Sequence, residues 1–160
     1  MKDRRSTKGI GLVEVIVGAS ILSIAGVALL LTYGFYVKIA SVAPRPIQAV
    51  FLEDEGIEVM RIIRDKSWTS ISNLNADTTY YLSLATSTGL WTTTTTPKMI
   101  DGIFERTVVI ATVNRDVNND IISGGGSLDS NTKKVTVSVS WVKNGATTTK
   151  QLIGYLTNLF

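Results

Sequence analysis

Asp116, Asn118 and Asp120 stand at alternate positions in RDVNNDIISGGGSLDSN, a spacing that lets short oxygen-bearing side chains converge on a hard cation such as calcium. The sixth position of that loop is Ile121 where an EF-hand needs Gly, and the twelfth is Ser127 where it needs a bidentate Glu. A solvated, glycine-rich loop between strands is therefore the stronger reading, a calcium loop the weaker one, and no metal is expected. A second group of acids, Glu53, Asp54, Glu55 and Glu58, raises acid–base or metal chemistry. Residues so close in sequence splay around a helix, whereas a site needs convergent groups. The third candidate is Glu14, the one charge in the 28-residue apolar run from Ile10 to Val37. A carboxylate in such surroundings is costly unless it finds a partner, and such residues usually mark function; the alternative is an ordinary anchor whose Glu14 lies at the headgroup level.

The chain has 160 residues and contains neither Cys nor His. Disulfides, thiolate nucleophiles, Cys/His zinc sites and imidazole acid–base chemistry are thereby excluded. No Ser lies in a nucleophile elbow and no glycine loop fits a phosphate, so neither an enzyme nor a cofactor is expected. The formal charge of +3 suggests nucleic acid, but Lys2, Arg4, Arg5 and Lys8 against Asp3 already account for all of it. From Ile10 onward the chain is neutral, so no general phosphate-binding surface is supported. For DNA to be touched, Arg106, Arg115, Lys133, Lys134, Lys143 and Lys150 would have to gather on one side of a sheet.

The elements that position these residues begin with the apolar run. As a helix it is about 42 Å long, more than the roughly 30 Å of a bilayer core and much longer than a signal-peptide apolar region. With the basic residues before it, the plain reading is one membrane-spanning helix whose N-terminus is cytoplasmic.

The stretch KGIGLVEV resembles the type III signal of type IV pilin-like proteins, in which a short basic leader ends in Gly and Glu stands at mature position five. Here that Gly is Gly9, the first mature residue is Ile10 and the Glu is Glu14. The resemblance implies cleavage after Gly9 by a prepilin peptidase, N-methylation of Ile10, and pairing of Glu14 with a neighbouring subunit's N-terminus during filament assembly. Cleavage there would place a new cationic amine about one helical turn from Glu14. The family usually begins with Phe, often followed by Thr, where this chain has Ile10 and Gly11. Major pilins often carry a helix-kinking Pro, whereas no Pro precedes Pro44 here. The C-terminal disulfide found in many pilins is absent for want of Cys. Some secretion pseudopilins bind calcium in a comparable β-region loop, which is what keeps the weaker reading of Asp116, Asn118 and Asp120 in view.

Beyond the run, SVAPRP punctuates the chain: Pro44 kinks or ends a helix, and Pro46 suits the first turn of a new one. From Ile47 to Ser67 the apolar spacing is helical, with Ala49, Leu52, Gly56, Val59, Met60 and Ile63 on one stripe. Acids come early and bases late, matching the helix dipole, and Glu58–Arg61 and Arg61–Asp65 are suitably spaced pairs. Phe51 and Ile62 lie off the stripe, where they could meet neighbouring subunits or the domain's own loops. The EGIE…R…RD…W segment also resembles the soluble half of the long helix in a subset of pilin-like proteins.

From Trp68 the period shifts to two. Thr79–Ala85 reads as a strand followed by a turn at Ser87–Gly89, and Ile103–Val113 as a strand with Phe104, Arg106, Val108 and Ile110 on one face. Val135, Val137, Val139 and Trp141 alternate with Thr and Ser, and Asn144-Gly145 signals a hairpin into TTTKQLIGYLT. The Thr tract between Thr86 and Pro97 reads as an edge strand or loop without ligand, with O-glycosylation as an alternative role. The expected architecture is α+β and pilin-like. Residues 1–9 form a leader, 10–40 a transmembrane and assembly helix, 41–67 an amphipathic helix and 68–160 an antiparallel sheet, with a kink or break near Pro44/Pro46.

The function implied by the resemblance is that of a pilin, minor pilin or pseudopilin. Its partners would be other pilin subunits, the prepilin peptidase, the inner-membrane assembly machinery and, before assembly, the bilayer. It would sit in the cytoplasmic membrane and later in a periplasmic or extracellular filament. The alternative is an unpolymerised single-pass surface module that binds DNA or polysaccharide.

Overall fold

The computed structural model describes residues 11–42, 44–143 and 145–159. The chain divides into two compact units, residues 1–44 and 45–160. In the first unit, helix α1 covers Leu12–Val42. Three of its hydroxyls are satisfied within the helix: those of Ser20, Ser23 and Thr32 donate to the carbonyls of Ile16, Ala19 and Ala28, four residues back. The large apolar side chains of this helix are exposed, Leu22, Leu29 and Leu30 by more than two-thirds. By length and composition α1 can cross a membrane. The kink or break expected near Pro44/Pro46 turns on residue 43, outside the described residues. Pro44 opens helix α2 (Pro44–Lys66) and Pro46 lies in its first turn, where a missing N–H costs nothing.

The second unit packs α2 and a one-turn helix α3 (Thr69–Ser72) on one face of an antiparallel sheet. The strands are β1 (Thr79–Ala85), β2 (Leu90–Thr94), β3 (Met99–Ile100), β4 (Phe104–Arg115), β5 (Ile121–Ile122), β6 (Ser127–Lys143) and β7 (Ala146–Thr157). Their order is β2-β1-β4-β6-β7, with the short β3 and β5 both pairing with β4. The Thr tract supplies the edge strand β2, as its β-branched residues favour. The hairpin expected at Gly145 forms, with Lys143 opposite Ala146 and Gly145 at φ 80°, a value Gly adopts without strain. Asn144 lies outside the described residues.

The alternating pattern places its apolar face inward. Val135, Val137, Val139 and Trp141 of β6 are buried beside Phe104, Val108 and Ile110 of β4. Between Thr112 and Val113 the β4–β6 register shifts, and this bulge turns Val113 inward where strict alternation would place Thr112. Two apolar clusters result. Ile57, Val59, Met60 and Ile63 of α2 join Tyr80, Leu82, Val108, Val137 and Leu156 in the larger, and Ala49, Phe104, Val139 and Trp141 form the smaller. Gly56 is what lets α2 lie close: a Cβ there would stand 2.7 Å from Val137 Cγ1.

Three expectations need correction. The buried stripe of α2 contains Glu53 and Ile57 while Leu52 is half-buried, because the sheet covers a wider arc than a narrow stripe and β7 reaches Ile57 through Gly154. Arg61 pairs with Glu58 as its spacing suggests, but Asp65 pairs with its neighbour Arg64 instead of Arg61. The sheet does not begin directly after Trp68, since α3 intervenes and buries Ile71.

Candidate functional site

Glu14 lies in the first turn of α1, its amide donating to the Gly11 carbonyl at 2.8 Å. A carboxylate in a first turn faces unpaired helix N–H groups, so the helix dipole favours it there. Among the described residues Glu14 forms no ion pair. Gly9 and Ile10, the expected cleavage and methylation positions, lie outside the described residues.

The loop after β4 is organised by Asp116. Its Oδ1 accepts the backbone N–H of both Asn118 and Asp120, each at 2.9 Å, so one carboxylate oxygen closes the turn. Asn119, at φ 69°, takes the left-handed conformation the turn requires. Among the described residues no group of three or more Asp or Glu side chains is placed to hold a metal ion. The loop is tied to the sheet by Arg115. Its Nε donates to Asp129 Oδ2 at 2.7 Å and its Nη1 to the Asn119 carbonyl at 2.8 Å. The Arg115 hydrogen bond, helped by Thr132 and the Asn131 amide, lowers the Asp129 carboxyl to about 2.

The acids of α2 do splay. Glu53 faces inward and is 5% exposed, while Asp54, Glu55 and Glu58 face solvent. Burial raises the Glu53 pKa, Lys150 opposes that shift, and its Oε1 has no hydrogen-bond partner. Nor do the six bases considered for DNA form one patch. Arg106 is buried on the core face, Arg115 is held by Asp129, and Lys134 points to the opposite face from Val135. The separation follows from strand alternation, which sends neighbours to opposite faces.

Arg106 is the residue whose surroundings the sequence concealed. Its Nη1 donates to the Leu52 carbonyl at 3.1 Å and to Glu55 Oε2 at 2.8 Å, joining β4 to α2. Its guanidinium carbon lies 6.0 Å from the ring centre of Trp91 on β2. The position of Arg106 on an apolar face was legible; the approach of Trp91, set by β2 pairing with β1, was not.

Comparison with protein-family models, curated proteins and solved structures finds no significant match to this chain. The functional reading therefore rests on the chain's own residues. Those residues form a long apolar helix with one acid in its first turn and, as a unit of its own, a packed α+β fold; the chain has no Cys.

Proposed function

We propose that this chain is a structural subunit, pilin, minor pilin or pseudopilin, of a type IV pilus-like filament. In this reading the leader is removed after Gly9, Ile10 is N-methylated, and the subunit polymerises through α1. The observation that carries the reading is Glu14, an acid in the first turn of a membrane-length apolar helix, five residues beyond the Gly that ends a basic leader. In a bilayer that acid is a cost. In a filament it faces the cationic amine of a neighbour while apolar helices bury one another around it, which explains both its charge and its place.

The chemistry of the mature N-terminus tests this. Mass spectrometry should find N-methyl-isoleucine at Ile10, and Gly9→Val should leave full-length protein in the membrane, because a site shaped for Gly has no room for a branched side chain. Normal-size mature protein from Gly9→Val would remove the basis of the proposal. The unpolymerised surface module would then be the better reading.

A further inference from the structure

Arg106 is 5% exposed, yet its Nε is buried without an acceptor while Nη1 serves both Leu52 and Glu55. A guanidinium with unmatched donors inside a protein is costly, and the cost is relieved by an acceptor from outside. Arg106 lines a cleft of about 190 Å³, with Trp91, Leu82 and Ile100 as its apolar wall and Lys98 and Glu55 as its other charged groups. The Lys98 ammonium is placed by a 3.1 Å hydrogen bond to Ser83 Oγ.

We propose that this cleft binds a compact monocarboxylate carried on a body about the size of one sugar ring. Two cations, Arg106 and Lys98, against one anion, Glu55, leave a single positive charge to be matched. One carboxylate matches it, whereas a dianionic phosphate would leave charge facing Glu55. The volume corresponds to roughly six water molecules at about 30 Å³ each, the bulk of one ring and far below a drug-sized site. Trp91, Leu82 and Ile100 offer that ring an apolar face. The carboxylate enters between Lys98 and the guanidinium edge, supplies the acceptor that Nε lacks through a charge-assisted bond, and shifts the Trp91 ring, which keeps its face against the ligand. A uronic acid and an acidic amino-acid side chain both carry this chemistry.

The test uses the full chain in detergent micelles, with the Trp91 indole N–H resonance identified by its loss in Trp91→Phe. D-glucuronate and N-acetylglutamate α-amide, whose only carboxylate is that of the side chain, are titrated as the two carboxylate carriers and D-glucose as the uncharged ring. Saturable movement of the Trp91 resonance with either carboxylate and not with glucose is expected, and which carboxylate binds more tightly names the source. Lys98→Gln, an exposed change that leaves the core intact, should weaken that binding about three- to tenfold. The proposal is overturned if neither carboxylate moves the resonance at concentrations up to about 50 mM, well above a millimolar Kd. It is equally overturned if glucose moves the resonance as far, or if Lys98→Gln binds like the wild type.

Discussion

Asp129 and Glu53 are carboxylates whose surroundings move them in opposite directions, and their pH dependences must therefore oppose each other. Asp129 is lowered to about 2 by Arg115, below the roughly 3.9 of an unfolded chain. Its contribution is fully present above about pH 5 and is lost progressively as pH falls through the unfolded value towards 2. Asp129→Asn should thus lower Tm at pH 6, and the gap from wild type should close as unfolding is followed towards pH 2. A gap independent of pH would mean that the Arg115 pair does not set this carboxyl. For Glu53 the sign reverses. Its pKa is raised, so the folded state favours the neutral acid, and the associated stability is present at low pH and lost as pH rises through the raised value. Glu53→Gln should gain in Tm relative to wild type between pH 4 and pH 8, as read by thermal scans at several pH values. The burial of Glu53 was hidden in the sequence, because an acid among Asp54, Glu55 and Glu58 reads as part of a solvated face. Only the docking of β7, which brings Lys150 near, shows otherwise.

At the scale of elements, strands with uninterrupted alternation were the most legible. β1 runs over Thr79–Ala85 as read from the sequence, and between Val135 and Trp141 the buried residues of β6 are the four its period selects, with Thr132 buried ahead of them. Trp141 is 3% exposed and stands beside Phe104 with ring centres 6.1 Å apart, in the cluster that also holds Ala49 of α2. Trp141→Ala should therefore cost about 3–5 kcal/mol, measured by chemical unfolding of the folded α+β unit in the full chain. A negligible shift in the midpoint would place that face in solvent. Features set by long-range packing were not legible. The bulge at Thr112/Val113 depends on pairing with β6, and the close approach of Gly56 to Val137 depends on two segments that share no local signal. α3 is too short for a period to declare itself, since four residues hold barely one turn. The cleft under Trp91 escaped for the same reason, as its walls come from α2, β1, β2, β3 and β4.

For the whole molecule, the proposed filament makes Glu14 an assembly residue and not an insertion residue. Glu14→Leu removes a membrane cost, so it should insert at least as well and still be cleaved after Gly9. It should fail to enter filaments, because the axial register of an incoming subunit would no longer be set by charge pairing. The readout is tagged Glu14→Leu in sheared filaments relative to membranes, in cells that also make wild-type partners. Wild-type incorporation would transfer support to the simple membrane anchor. The contact between Gly56 and Val137 also bears on how the chain is born. At about 5–20 residues per second, the ribosome releases Val137 on the order of ten seconds after Gly56. Through that interval the apolar side of α2, with Ile57, Met60 and Ile63, has no β6 or β7 to cover it. Nascent chains are thus most exposed to aggregation while the sheet is still being synthesised, and a stall between β4 and β6 would be more dangerous than one after β7.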